Sequence, residues 1–328
     1  MGAKSLSGEA VNVYEKNSSK KEHEKIYVWP SIVVIGFFHC VSVYSLWLIF
    51  TFQVMWKTIL FNWIYLIFTI LGTTAGSHRL WAHRSYKAKL PLRIFLALAQ
   101  SAAFQKTIYE WARDHRVHHK FSDTNADPHN ATRGFFFSHM GWLLVRKHPD
   151  VIAKGNTIDL SDVTADPVAI YQKKYYLPLI LILCFLLPSY VPYYFWKEQF
   201  SNAFTVNVMR FIIGINLTGS VNSIAHMWGY RPYDASMQPS ESLFCSLITC
   251  GEGWHNYHHA FPWDYKTAEL GFTPINFTTG FINFMAFIGQ AYDLKTASEA
   301  LIKRKATNKG DGSWKNLKSI DHTPENSI

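Results

Sequence analysis

From Ile26 to Trp56 the chain runs for 31 residues without an aspartate, glutamate, lysine or arginine. Lys57 interrupts, and Thr58 to Ser77 is again free of them. A helix needs about 20 apolar residues to cross the hydrocarbon core of a bilayer, and each stretch can supply one. A third run, Tyr175–Trp196, has aromatic residues at both ends, as membrane edges favour. Its Pro178, Pro188 and Pro192 predict kinks. A fourth, Phe204–Ala225, is interrupted by Arg210, which is expected to snorkel to the headgroups. Pro91–Phe104 is short for a span, and Leu270–Tyr292 is broken by Pro274 and polar residues. Both are expected to lie on the membrane surface or against the protein.

The fold class that follows is all-α: a polytopic membrane protein with four transmembrane helices. Lysine and arginine set its orientation. Five lie in residues 1–30, fifteen in 77–176 and nine in 227–328, leaving only Lys57, Lys197 and Arg210 elsewhere. The N-terminus, the long middle segment and the C-terminus are therefore expected on the cytosolic side. Residues 1–26 and 314–328 read as polar tails around a domain of 27–313, whose cytosolic segments form a helical cap. Asn130 and Asn276 stand in glycosylation sequons that this topology keeps from the lumen. The four cysteines suggest no disulfide framework.

Nine of the fifteen histidines fall at or beyond the cytosolic ends of these spans. "HRLWAH" holds His78 and His83, "HRVHH" holds His115, His118 and His119, and "HNYHH" holds His255, His258 and His259. His226 ends the fourth span. Residues i, i+3 and i+4 share a helical face, so each triplet is expected to project together. His78 and His83 are five apart, about 140° around an ideal helix, and can share a metal only where the helix distorts. Nine imidazoles exceed what one metal takes, so two metals are implied. The boxes lack the activating carboxylate of H-E-x-x-H zinc hydrolases, which favours redox iron. The other six, His23, His39, His129, His139, His148 and His322, read as solvated or hydrogen-bonded side chains.

"HRLWAH", "YEWARDHRVHHKFSDTNADPHN", "RGFFFSHMGWLLVRKHP", "VNSIAH", "GYRPYD" and "GEGWHNYHH" together resemble the membrane acyl-CoA desaturases, the stearoyl-CoA desaturase family, over about residues 27–313. "GDGS" near the C-terminus is similar to the insect branch. The resemblance implies an endoplasmic reticulum enzyme that inserts a cis double bond into a saturated fatty acyl-CoA, using O2. Two iron ions form the expected cofactor. One site resembles His78, His83, His115, His119 and His258. The other resembles His118, His226, His255 and His259, with Asn222 reaching it through water. Electrons are expected from cytochrome b5 and its NADH-dependent reductase, and no nucleic-acid partner is implied. Arg113, Asp114, Arg146 and Lys147 match positions that hold CoA, and Gln105, Trp111 and Thr218 match the bend of an acyl tunnel. Lys106, Gly219 and Leu66 depart from vertebrate Asn, Trp and Tyr, at a CoA contact, the bend and the tunnel's closed end.

Three rivals are a related di-iron hydroxylase or lipid-linked desaturase, a metal transporter, and an inactive homologue. The first needs no CoA clamp. A transporter should hold its ligands deep within the spans, whereas these cluster at span ends. Retention of all nine histidines counts against the third.

Overall fold

The computed structural model describes residues 25–269 and 276–316. Four helices in it are long and apolar enough to cross a membrane: α1 (Trp29–Phe50), α2 (Trp56–Ala82), α5 (Tyr176–Trp196) and α6 (Phe200–Met227). Pro30 sits in the first turn of α1, where a missing N–H costs nothing. Val33, Phe37, Val43, Trp47 and Phe50 leave α1 apolar around much of its circumference and exposed, the pattern of a lipid-facing helix. Helix α6 is the inner post, packed on α1, α2 and α5.

The two shorter apolar segments form short helices, α3 (Leu90–Ala103) and α8 (Phe277–Phe287). At 1.5 Å per residue neither reaches about 30 Å. In α3, Leu92, Leu96 and Ala99 are buried while Ile94, Phe95 and Leu98 are exposed. The helix thus lies on the protein along one face. Its closest approach is to α2 at Gly72, where a Cβ would stand 2.2 Å from the Gln100 nitrogen. Residues 270–275 of the longer stretch lie outside the described residues.

The cap is built from α4 (Ile108–Phe121), α7 (His255–Ala260), α9 (Glu299–Lys309) and shorter turns. It is tied to the spans at several points. Strands β1 (Lys87–Ala88) and β2 (Ala291–Tyr292) pair antiparallel. Ahead of α1, the Val28 N–H donates to Leu144 O, and the Arg146 N–H donates to Ile26 O. Asn130 and Asn276 are buried at 2% and 4% exposure, and both side-chain oxygens accept backbone N–H bonds.

Helix α5 departs from a simple kinked helix. It is α-helical to Ile180, π-helical over Leu181–Leu186, and α-helical again from Leu187. The Leu187 N–H donates to Ile182 O, five residues back, so Leu183 O loses its usual partner. Pro188 has no N–H to give Cys184 O. Neighbouring helices fill both vacancies. Tyr65 Oη donates to Leu183 O at 2.6 Å, and Asn207 Nδ2 and Arg210 Nη2 donate to Cys184 O at 2.9 and 3.1 Å.

This corrects the expectation for Arg210. It does not snorkel but is buried at 2% exposure, with Nε donating to Asn207 Oδ1 at 2.9 Å and the Tyr65 ring 5.2 Å away. The reason is depth. Helix α6 begins at Phe200, so Arg210 lies ten residues in, about 15 Å from that end. At that depth the opened carbonyls of α5 are nearer than water.

Candidate metal centre

The first histidine pair depends on a backbone irregularity. Helix α2 is α-helical to Leu71 and π-helical over Gly72–Ala82. The His83 N–H donates to His78 O at 3.0 Å, an i→i+5 bond. That wider turn brings residues five apart onto one face, and the two rings lie 5.0 Å apart between centroids.

The triplets sit on regular helices. Helix α4 starts at a capping box, in which Thr107 Oγ1 accepts from the Glu110 N–H and Glu110 Oε2 accepts from the Thr107 N–H. Each triplet projects from one helical face but divides between two groups. In α4, His115 joins His78, His83 and His258, while His118 joins His226, His255 and His259. His119 Nε2 lies 2.9 Å from His258 Nε2, on the first side. Helix geometry explains the split. Residues i and i+4 differ by about 40° and i+3 diverges by about 60° the other way. In α4 the i/i+4 pair serves the first group and i+3 the second; in α7 the assignment is reversed.

The ring nitrogens meet closely. Nε2 to Nε2 distances are 2.9 Å for His78–His258, 2.7 Å for His83–His115, 3.1 Å for His226–His255 and 3.2 Å for His255–His259. Carboxylates hold several opposite nitrogens: Glu252 faces His78 Nδ1 at 2.9 Å, Asp127 faces His118 Nδ1 at 2.9 Å and Asp123 faces His226 Nδ1 at 3.2 Å. A carboxylate on Nδ1 retains the proton there and leaves Nε2 as a bare lone pair. Bare lone pairs about 3 Å apart repel, and a shared cation with bonds of about 2.1 Å leaves adjacent ligands at about that spacing. The donor set therefore fits a metal ion in each group.

Electrostatics agree. His83, His115, His119, His255, His258 and His259 are pushed well below the usual imidazole value by burial, then by neighbouring imidazoles. They are neutral donors at pH 7, as ligation requires. Burial would raise Glu252, but Arg79 and His78 outweigh it and hold the carboxyl at about 2. Burial would lower His118, but Asp127 outweighs it and raises it.

A cavity of about 450 Å³ runs from this centre between α1, α2 and α6. Gln105, Lys106, Trp111, Asp114, Thr218, Gly219 and Asn222 all line it. Trp111 stacks on His115, 4.7 Å between centroids. Thr218 Oγ1 donates to Gln105 Oε1 at 3.0 Å. Asp114 gathers Lys106 at 2.8 Å, Lys147 at 2.6 Å and Arg113 at 3.1 Å. Burial would raise its carboxyl, but Lys106 and Lys147 outweigh that and hold it far below the usual range. Arg113 and Lys147 stand outside the lining, beside its Asp114 edge, and Arg146 is exposed next to them.

Two departures take on physical meaning. A Cβ on Gly219 would lie 2.5 Å from the His139 carbonyl oxygen, so the helix Phe135–His139 occupies the space a side chain would need. The His139 ring lines the cavity, bonded to Ser223 Oγ at 2.9 Å and Asn216 Oδ1 at 3.0 Å. Leu66 is buried and does not line the cavity; it lies behind Gly214, whose Cβ would meet it at 3.5 Å.

Sequence reasoning assigned no role to Glu252, Asp123, Asp127 or Arg79. Arg79 is fully buried and anchors Glu252 through Nη2 at 2.6 Å. These side chains have no periodic spacing relative to the histidines they serve. His129, read as an isolated side chain, packs 4.6 Å from the His118 ring and lines the cavity.

The family described as Fatty acid desaturase matches residues 56–266. The Acyl-CoA Delta(11) desaturase of Spodoptera littoralis is 50% identical, covering 96% of this chain and 92% of that protein. The Acyl-CoA Delta-9 desaturase of Acheta domesticus is 53% identical, covering 92% and 84%. The Stearoyl-CoA desaturase of Homo sapiens is 52% identical, covering 88% and 80%. With a family match over most of the chain and half-identical relatives over nearly all of it, this chain belongs to the fatty acid desaturase family, a group of oxygen-dependent oxidoreductases.

Proposed function

We propose that the protein is an acyl-CoA desaturase that inserts a cis double bond into a saturated fatty acyl-CoA. The observation that carries this reading is the junction of a double imidazole centre with a long, mostly apolar cavity. The relatives named above act on acyl-CoA by their names. We assign His78, His83, His115, His119 and His258 to one iron, and His118, His226, His255 and His259 to the other. Asn222, one helical turn before His226, serves the second through water. Bound iron would supply the oxygen chemistry needed to remove hydrogen from unactivated methylenes.

The protein's own part is to position and exclude water. Lys106, Arg113, Arg146 and Lys147 form a cationic edge with Asp114 among them, suited to CoA phosphates and pantetheine polar groups. Trp111 fixes the His115 ring and walls the chain beside the metals. The Thr218–Gln105 hydrogen bond closes its polar groups on each other, so an apolar chain meets few unpaired donors there. Cytochrome b5, reduced by its NADH-dependent reductase, is the assigned electron donor. We place it in the endoplasmic reticulum membrane, as the resemblance implies, with both termini cytosolic, an orientation that the charge asymmetry supports.

Expression in desaturase-deficient yeast tests the reading. Growth without unsaturated fatty acid supplements is expected, with cis double bonds mapped in cellular lipids by mass spectrometry. Hydroxylated products with no unsaturated ones would replace desaturation by the hydroxylase alternative.

A further inference from the structure

One residue that lines the cavity carries a charge. Along α6 the lining residues include Arg210, Gly214, Thr218, Val221 and Asn222, and Arg210 lies farthest along the helix from His226. Its guanidinium is always ionised. Among the described residues no carboxylate pairs with it. Its partners are neutral: Asn207 Oδ1, Cys184 O, Cys184 Sγ at 3.5 Å and the Tyr65 ring. An ionised side chain at mid-membrane depth, with only neutral partners, is costly and marks a functional position by default. The fold goes to some length to keep it, since the carbonyl that binds Nη2 is one freed by Pro188.

We propose that Arg210 is the floor of the acyl channel and selects substrate chain length. This rests on the acyl-CoA desaturase reading above. Eight residues separate Thr218 from Arg210, about 12 Å of helix. That depth takes on the order of nine extended carbons, at about 1.3 Å each from a bond of about 1.5 Å. A chain long enough to press its methyl end into the guanidinium gains no burial from doing so and strips the cation of space it shares with its dipoles. Shorter chains stop above it. The same floor accepts a polar chain end, because a terminal hydroxyl can take a hydrogen bond from the guanidinium.

The test uses microsomes from desaturase-deficient yeast carrying the full-length chain, supplied with a ladder of saturated acyl-CoAs. Arg210→Gln shortens the side chain while keeping polar contacts, and its optimum is expected to lengthen by about two carbons, roughly 2.6 Å. Arg210→Met makes the floor apolar. Independently of any variant, the unsubstituted enzyme is given an ω-hydroxy acyl-CoA and an ω-methyl one of matched length. Turnover within about 10-fold is expected, whereas an apolar floor would discriminate by about 100-fold. Arg210→Met is expected to restore that discrimination. Active variants with an unchanged length optimum would overturn the proposal. If neither variant folds, 100-fold rejection of the hydroxyl by the unsubstituted enzyme would do so. No unsaturated product from any chain length with the unsubstituted enzyme would instead sink the desaturase reading.

Discussion

Among the described residues there are two π-helical stretches, and they use the same irregularity for opposite ends. At Gly72–Ala82 the wider turn gathers side chains, bringing His78 and His83 onto one face beside the metal centre. At Leu181–Leu186 it frees the Leu183 carbonyl for Tyr65, and Pro188 just beyond leaves the Cys184 carbonyl to Asn207 and Arg210. The first serves a polar site at the cap, the second a buried cation among apolar helices. A π segment is thus a way of moving hydrogen-bonding capacity sideways, and the surroundings determine what receives it.

The sharpest separation of the two regions is expected at the metal centre. His118→Ala should abolish desaturation while the protein still inserts in the membrane, because it removes a donor whose Nδ1 side is already committed to Asp127. Elemental analysis of iron-replete protein, run beside product assays, checks this; two metals per chain in the unsubstituted protein and fewer in the variant are expected.

Glu252→Gln should weaken metal retention by about 10- to 100-fold, the usual cost of losing a carboxylate behind a ligating histidine. Competition with a chelator reads it. If the variant held metal as tightly as the unsubstituted protein, the carboxylate would be serving Arg79 alone and not the His78 tautomer.

Acidification should act on the same region and spare the other. The depressed imidazoles take up protons more readily once unfolded, where the ordinary value is 6.5. Their contribution to stability is therefore complete above about pH 6.5 and is lost progressively as pH falls toward the much lower folded values. Metal retention should fall over the same window. Arg210 lies apart from these imidazoles, sixteen residues before His226 on α6, so the chain-length optimum of the surviving activity should not move.

Gly219→Ala should lower stability by about 1–3 kcal/mol, the range for overpacking, because its Cβ meets the His139 carbonyl oxygen. A thermal melt in detergent measures it. An unchanged melt would mean that Phe135–His139 moves aside freely. The smallest effect is expected in the second π stretch. Pro188→Ala restores a donor for Cys184 O and competes with Arg210, worth about 1 kcal/mol for one hydrogen bond. It should leave metal content intact. Metal loss equal to that of Glu252→Gln would show that the two stretches are not independent.

Much was legible in the chain itself. The long apolar runs determine four spanning helices, because the length of hydrocarbon to be crossed is a property of composition. The triplet spacing determines that imidazoles converge, because 3.6 residues per turn is local geometry. What the triplets do next is not local. Their division between two groups, the tautomers set by Glu252, Asp123 and Asp127, and the place of His139 over Gly219 depend on which helices meet. Arg210 shows the limit most clearly. Its sequence surroundings predict escape to the headgroups, and only the packing of α6 against α5 supplies a carbonyl, that of Cys184, near enough to keep it inside. That carbonyl is free because Pro188, 22 residues earlier in the chain, cannot donate a hydrogen bond.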